Sequence, residues 1–367
     1  MRNLPVTRGQ VTLDAAAKTP YIVTDGPAPA PTDPHWGEGA AVKDPSFHSG
    51  DLASWSVPGT GATVTRNARG QNELTMAAGA SPTVSQRLTG LIPGTYAASV
   101  WVTTPTGRAT TLAVTPTGGA RASVYADSSP LTNNLGGSDK NGTTSQRMKV
   151  LFDVPAGRDT ATLTLSAATG PGTVRLDDVR VVRSARTPLD GHWFAEDFEN
   201  VDAGWGPFVF GGAGGWATDP RTHMAQRNAP YTQAGWNGKL VDDVIGGQNS
   251  LKSHEERPGL VYRTLPQTLR LTAGRTYRVN FRHENGFDGD YRFVVGSGAT
   301  ETTTALGRAR TPTTFTKTFT AGADAWFGVR KVTPEDSHDQ ADLVLDDLTV
   351  DDLGAGAAKN CSCPGSG

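Results

Sequence analysis

Two pairs of adjacent aspartates have the clearest potential for chemistry in this 367-residue sequence. Asp177-Asp178 and Asp346-Asp347 each follow a leucine and precede further apolar residues. Ca²⁺ takes about six to eight oxygen ligands, so carboxylates and carbonyls suit it better than they suit zinc. We therefore predict structural calcium as a cofactor, and the expected carboxylate ligands are Glu199, Asp346 and Asp347 in the second half and Asp44, Asp177 and Asp178 in the first.

The two halves do not offer the same ligands. His48 stands in the first half where Glu199 stands in the second, which removes one carboxylate. An alternative applies to both pairs, namely that one aspartate ends a strand and the other faces water.

The segment 204–260 combines aromatic and polar residues as sugar-binding sites do. Aromatic rings offer an apolar platform to the C–H faces of a sugar, and polar side chains orient its hydroxyl groups. The predicted carbohydrate-binding residues are Trp205, Trp216, His223, Tyr231, Trp236, Asn237, His254 and Glu255. Two alternatives stay open: these residues form the small core of a long loop, or they dock another domain.

The same segment does not indicate catalysis. Asp242-Asp243 and Glu255-Glu256 are neighbours that point to opposite sides of an extended chain. A glycosidase needs two carboxyl groups roughly 5–9.5 Å apart across a cleft. The glycine run 211–215 lacks the lysine and the strand–helix context of a phosphate loop, so we predict a flexible loop tip. We expect no catalysis by this chain alone.

Composition excludes several classes of protein. The 44 glycines and 24 prolines disfavour a helix bundle. A formal net charge of -2 gives no basic footprint for nucleic acid. No stretch reaches the ~20 apolar residues of a membrane span, and residues 1–10 lack the apolar region of an export signal. The pair Cys361 and Cys363 is too closely spaced to staple a fold.

Short runs rich in Thr and Val, bounded by Gly, Pro and Asp, predict strands. Four landmarks recur in the same order in both halves: an acidic-aromatic segment, a turn before an aromatic strand, a second turn with a strand, and a closing Leu-Asp-Asp strand. We predict an all-β fold of two tandem jelly-roll sandwiches, with Trp55 and Trp101 in the first core. The predicted divisions are the tail of a preceding β-domain with a Pro-rich linker at 1–34, sandwiches at 35–185 and 190–353, and a disordered tail at 354–367.

Seven motifs carry a family resemblance, at 205–209, 218–223, 229–233, 235–239, 241–244, 250–256 and 259–264. They resemble the C-terminal galactose-binding-like domain of bacterial endo-alpha-N-acetylgalactosaminidases (glycoside hydrolase family 101). The first half is similar to carbohydrate-binding modules of secreted glycoside hydrolases. No part of the sequence resembles the catalytic barrel of the family, whose members release the Gal-GalNAc disaccharide from mucin-type O-glycans.

The resemblance implies a non-catalytic, carbohydrate-binding or accessory region of an extracellular glycosidase. The implied partners are galactose- or GalNAc-type glycans and an upstream catalytic domain, with neither nucleic acid nor a membrane span. Two alternatives are a purely structural spacer that packs on the catalytic domain and, least favoured, a standalone hydrolase.

Overall fold

The computed structural model describes residues 42–68, 70–127, 145–201, 204–205, 207–212, 214–219, 222–227, 244–253, 258–286, 288–333 and 342–355, with side chains at all of these except 204–205. The regular elements within these ranges are all β-strands, so the predicted all-β class is confirmed. Within the same ranges, no helix is long and apolar enough to cross a membrane. The predicted remnant at 1–34 and most of the predicted tail at 354–367 lie outside the described residues.

Nine strands form the first sandwich. They are β1 (Ala62–Arg66), β2 (Asn72–Met76), β3 (Thr83–Leu88), β4 (Gly94–Thr103), β5 (Thr110–Pro116), β6 (Ala122–Ala126), β7 (Ser145–Val154), β8 (Ala161–Ala167) and β9 (Val174–Arg183). One sheet has the order β1-β2-β9-β4-β7, and the other has the order β3-β8-β5-β6. Their inner faces enclose a core that includes Val100, Val150 and Leu163.

The remaining strands form the second sandwich. They are β10 (Phe194–Glu196), β11 (Gly204–Trp205), β12 (Phe208–Gly211), β13 (Trp216–Thr218), β14 (Thr222–Gln226), β15 (Asn249–Ser253), β16 (Gly259–Thr264), β17 (Arg275–Asn285), β18 (Tyr291–Ser297), β19 (Thr300–Ala305), β20 (Ala309–Thr320), β21 (Trp326–Lys331) and β22 (Leu343–Ala355). One sheet has the order β11-β14-β15-β22-β17-β20, with β10 also paired to β22. The facing strands follow the order β12-β13-β16-β21-β18-β19.

Alternation of apolar and polar residues explains these strands. In β8, Ala161, Leu163 and Leu165 are buried while the threonines between them are more exposed. Since neighbouring side chains of a strand point to opposite faces, one face of β8 packs in the core and the other faces outward. The central strand β4 is buried on both faces for most of its length, which places it in the middle of the molecule.

The two sandwiches share one sheet. Strand β7 of the first pairs in parallel with β12 of the second, from Phe208 opposite Arg147 to Gly211 opposite Val150. This pairing joins five strands of one sandwich to six of the other in a single eleven-stranded sheet. The first sandwich packs on one face of this sheet and the second on the opposite face, as the two core clusters indicate.

Gly211 lies at this junction and Gly215 within the second sandwich, and both are packed, so the predicted flexible loop tip is wrong. A Cβ atom at Gly211 would lie 2.5 Å from Val124 Cβ and 2.9 Å from Ser123 O, both in β6 of the first sandwich. A Cβ at Gly215 would lie 2.7 Å from Leu269 Cβ. Glycine is required at 211 because the two sandwiches approach each other closely, and at 215 because the turn with Leu269 of the same sandwich packs against it.

Candidate functional site

Most of the predicted sugar-binding residues lie outside the described side chains. Tyr231, Trp236, Asn237, His254 and Glu255 belong to segments that the structure does not describe. For Trp205 only the backbone is described, which pairs with His223 in the ladder between β11 and β14. The prediction that these residues bind sugar stays a prediction.

Trp216 is a core residue, which corrects its assignment as a sugar platform. Its side chain is 0% exposed and stacks on Phe210, with ring centroids 5.2 Å apart. Its indole Nε1 donates a hydrogen bond of 2.9 Å to Glu196 Oε2. A ring with no exposed face cannot receive a ligand from solvent, so Trp216 fits the alternative of a loop core.

The partner of Trp216 is an unusual carboxylate. Burial raises the pKa of Glu196 to about 7, even though Trp216 and the Phe198 backbone N–H donate hydrogen bonds to it. Lys149, in β7 of the first sandwich, favours the ionised form of Glu196 electrostatically. The two sandwiches therefore interact through buried charge as well as through strand pairing.

His223 lies on the outer face of its sheet, because its neighbour Met224 belongs to the core. It is 4% exposed and stands opposite Lys252, whose Nζ lies 3.0 Å from Asp342 Oδ2. Glu284 is buried on the same sheet. The structure thus brings His223 together with a buried polar row that the sequence analysis did not predict. Lys252 lies in one of the resemblance motifs without an assigned role, and Glu284 lies in a strand with no distinguishing motif.

Each aspartate pair forms a β-bulge at the same place in its sandwich. The ladder between β4 and β9 shifts register at Asp178, and the ladder between β17 and β22 shifts at Asp347. Both residues have a positive φ, 53° for Asp178 and 50° for Asp347. An L-residue with this conformation is uncommon, and Asp tolerates it better than most residues do. The repeated Leu-Asp-Asp motif therefore encodes a repeated bulge.

In the second sandwich, the first aspartate of the pair is buried. Gly246 N donates to Asp346 Oδ2 over 2.9 Å, Ser250 Oγ donates to the same oxygen over 2.5 Å, and Asp347 N donates to Oδ1 over 2.8 Å. Burial raises the pKa of Asp346 to about 6 despite these donors. A carboxylate has about four acceptor positions, so Asp346 retains capacity for another partner.

Glu199 lies at the same edge of the sandwich, across the turn at 246–249. Its Oε1 accepts hydrogen bonds from Gln248 N over 2.7 Å and from Asn249 N over 3.0 Å. Two amide oxygens next to it are buried without a hydrogen-bond partner, Asn249 Oδ1 and Asn200 Oδ1. Buried oxygens of this kind need a partner, and a cation would supply one. The sequence offers no strong signal for Asn249, because it lies far from the aspartate pair along the chain.

The second aspartate of this pair has an arginine partner, and its role as a metal ligand stays a prediction. Its Oδ2 lies 3.1 Å from Arg282 Nη1 in the neighbouring strand β17, and its side chain is 46% exposed. A Cβ atom at Gly246 would lie 3.3 Å from Asp346 Oδ2 and 3.4 Å from Asp347 Oδ2, so both carboxylates face the turn at 246–249. The negative charge of Asp347 is compensated by the arginine.

The first sandwich repeats this division of roles. Burial raises the pKa of Asp177 to about 6, and His48 lies near enough to oppose that shift electrostatically. Asp178 instead accepts from Arg147 and Arg180, and these arginines hold its pKa below the ordinary value despite partial burial. Both carboxylate oxygens of Asp178 therefore have arginine partners, and its ligand role stays a prediction, as for Asp347.

Asp44 also has a protein partner. Its carboxylate accepts from Ser49 Oγ over 2.5 Å and from Ser49 N over 3.3 Å. Within the described ranges, no three His, Cys, Asp or Glu side chains group together to hold a metal ion. A calcium site would therefore have to use amide or backbone oxygens, and the buried amide oxygens without partners lie in the second sandwich.

The two predicted core tryptophans of the first sandwich have different positions. Trp55 is 6% exposed and lies in the core, as predicted. Trp101 is partly exposed and belongs to neither core cluster, so its prediction is wrong. The guanidinium Cζ of Arg147 lies 5.5 Å from the centroid of the Trp101 ring.

Solved structures show some likeness to the chain. A family 61 carbohydrate-binding module in complex with beta-1,4-galactotriose has 18% identity and a TM-score of 0.31, over 39% of this chain and 97% of that one. A tandem of family 22 modules from Paenibacillus barcinonensis has 14% identity and a TM-score of 0.31, over 84% of this chain and 96% of that one. Likeness at this level supports no conclusion about ligands.

Family models and a curated relative are more specific. Residues 42–175 match domain 5 of endo-alpha-N-acetylgalactosaminidase, and residues 177–343 match a galactose-binding domain-like family. A Renibacterium salmoninarum protein, provisionally named an endo-alpha-N-acetylgalactosaminidase, is 43% identical over 364 residues, which are 97% of this chain and 23% of the relative. The predicted resemblance is confirmed: residues 42–175 are similar to domain 5 of endo-alpha-N-acetylgalactosaminidase and residues 177–343 to galactose-binding-like domains, and the chain corresponds to a non-catalytic part of the relative.

Proposed function

We propose that this chain is the carbohydrate-binding accessory region of an extracellular glycosidase that acts on mucin-type O-glycans. The observation that carries the proposal is the succession of the two family matches along one chain, at 42–175 and 177–343. The chain spans about a quarter of the curated relative that it matches, 23% of its length. The ligands would be galactose- or GalNAc-type sugars, and an upstream catalytic domain would be the partner.

Calorimetric titration of the chain with galactose, GalNAc and the Gal-GalNAc disaccharide tests the proposal. An accessory module acts by tethering, so even weak affinity raises the effective concentration of the enzyme near its substrate. We expect saturable binding at millimolar ligand or below. No heat of binding at millimolar concentrations of all three sugars would contradict the proposal.

The second candidate function is a structural spacer. The shared eleven-stranded sheet and the buried Trp216 favour it, because both hold the sandwiches in a fixed arrangement without a ligand. The same titration separates the two functions, since a spacer binds no sugar.

We also propose structural calcium in the second sandwich. The buried amide oxygens of Asn200 and Asn249, together with the carboxylates of Asp346 and Glu199, offer the hard oxygen ligands that Ca²⁺ prefers. The ion would neutralise the buried carboxylate of Asp346 and tie the turn at 246–249 to β22. The first sandwich supplies no comparable amide oxygens within its described residues.

Thermal unfolding with and without a chelator tests this proposal. We expect the chelator to lower the melting temperature, and added Ca²⁺ to restore it. Asn249→Ala should abolish the response to Ca²⁺. An unchanged melting temperature in chelator would show that Asp346 and Glu199 have only their protein partners.

A further inference from the structure

Trp101 is placed on the outer face of the β4–β7–β9 part of the shared sheet. Its neighbours in β4, Val100 and Val102, are buried in the first core. Because side chains alternate along a strand, Trp101 points to the opposite face, where it remains partly exposed. A partly exposed tryptophan on a sheet face can present its ring to a ligand.

Fixed polar groups surround this ring. Arg147 Nη2 donates to Ser99 Oγ over 2.8 Å, and Arg147 Nη1 donates to Asp178 Oδ2 over 3.1 Å. Arg180 Nε donates to Asp178 Oδ1 over 2.9 Å. These contacts hold two guanidinium groups and one carboxylate in place, so the groups are ordered before any ligand arrives.

The cluster lies beside the junction of the two sandwiches. Arg147 belongs to β7, the strand that pairs with β12, and its backbone N–H donates to Pro207 O over 2.8 Å. Small-molecule sites occur preferentially where two domains meet, because the second domain adds a wall to an otherwise flat sheet face.

The second sandwich lacks this arrangement at the equivalent position. Trp101 stands opposite Asp177 in its ladder, and Arg282 stands opposite Asp346 in the corresponding ladder. Arg282 is paired with Asp347. The aromatic platform therefore occurs on the first sandwich, while the backbone bulge that supports it occurs on both.

We propose that Trp101, Asp178 and Arg180 form a sugar-binding subsite for a galactose-type pyranose, a proposal that rests on the proposed function. The ring of Trp101 contacts the C–H face of the sugar. Arg180, whose side chain is 47% exposed, donates hydrogen bonds to its hydroxyl oxygens, and Asp178 accepts from its hydroxyl groups. Arg147, whose side chain is 6% exposed, holds Asp178 in position.

Titration of the full chain with the Gal-GalNAc disaccharide, in wild type and three variants, tests this subsite. We expect Trp101→Ala to weaken binding by about tenfold or more, because the sugar loses its apolar aromatic platform. Trp101→Phe should retain most of the affinity. Arg282→Ala, at the equivalent position of the second sandwich, is the matched control and should bind as the wild type does.

Near-UV circular dichroism shows whether each variant is folded, and Trp101→Phe keeps the test valid if the alanine variant is not. Wild-type binding that is unchanged in Trp101→Ala would overturn the subsite and leave the proposed function intact. An absence of binding by the wild type would overturn both. Equal loss in Trp101→Ala and Arg282→Ala would also contradict the subsite, because the effect would not be local to Trp101.

Discussion

The two sandwiches share a β-bulge at the Asp-Asp pair and differ in the side chains that surround it. In both, a buried aspartate with a raised pKa precedes an aspartate of positive φ at a bulge. The second aspartate meets arginines beside Trp101 in the first sandwich, and Arg282 alone in the second. The bulge is therefore a feature of the fold that both sandwiches have, whereas the ability to bind a sugar depends on the side chains around it.

A second difference concerns the connection that follows the central strand. Between β4 and β5 this connection carries the buried Arg108, and between β17 and β18 it carries the buried Asp290. Arg108 donates to the backbone carbonyls of Met76, Ala77, Ala80, Ala168 and Gly172. Asp290 instead lies near the buried Lys331, with the Oδ2 to Nζ distance at 4.0 Å. In the first sandwich, one buried arginine thus links the backbone of several turns through hydrogen bonds.

The largest expected effect follows from removing that arginine. Arg108→Ala leaves several buried carbonyls without donors, so we expect the free energy of unfolding to fall by at least ~3 kcal/mol. Denaturant titration measures this loss. Arg108→Lys should fall between the wild type and the alanine variant, because an ammonium group reaches fewer of the carbonyls. A loss of less than about 1 kcal/mol for Arg108→Ala would contradict the role of Arg108 as a structural link.

The junction between the sandwiches supplies the next prediction. Gly211→Ala places a Cβ atom 2.5 Å from Val124 Cβ, and we expect the clash to cost ~1–3 kcal/mol of stability. Gly59→Ala is the matched control, since a Cβ there meets no atom within 4 Å. Hydrogen exchange should show faster exchange in both β7 and β12 of Gly211→Ala. If the two glycine variants are equally stable, the sandwiches do not pack as closely as described.

The buried aspartates predict a pH dependence in calcium-free buffer. The pKa of Asp346 is about 6 in the folded protein against an ordinary value of 3.8, so the folded state binds more protons between these values. The free energy of unfolding should therefore fall as the pH rises from 3.8 to about 6 and then level off for this group. Asp177, whose pKa is also about 6, lowers the stability over the same pH range, and Glu196, whose pKa is about 7, extends the decrease to about pH 7.

Asp346→Asn and Asp177→Asn test the buried aspartate of each sandwich separately. Urea titration across the window should give a flatter pH profile for Asp346→Asn, and a similarly flattened one for Asp177→Asn. Added Ca²⁺ should stabilise Asp177→Asn as it does the wild type and should have little effect on Asp346→Asn. Stabilisation of both variants by Ca²⁺ would place the ion elsewhere.

The sequence predicts the all-β class and the repeat because both rest on local signals. Alternating strands, turns and the Leu-Asp-Asp motif lie within short segments, and tertiary contacts confirm them without changing them. The end of β22 at Ala355, two residues past the predicted boundary, shows the usual uncertainty at the end of an element.

The positions of individual side chains depend on contacts that no local pattern contains. Trp216 and Trp101 both stand in strands, yet one packs in a core and the other does not. Each sandwich covers a different face of the shared sheet with its core. Trp216 lies on the face that its own sandwich covers, and Trp101 lies on the face that its own sandwich leaves uncovered. That arrangement depends on the parallel pairing of β7 with β12, whose segments have no complementary motif in the sequence. The bulge likewise leaves Asp346 buried and the side chain of Asp347 46% exposed, a difference that adjacent positions alone cannot predict.

The most direct test is a crystal structure of the chain with the Gal-GalNAc disaccharide. The account predicts a sugar ring against Trp101, with hydroxyl groups within hydrogen-bond distance of Arg180 and Asp178, and no sugar at Arg282. A disaccharide bound elsewhere on the chain, with Trp101 free of it, would contradict the account.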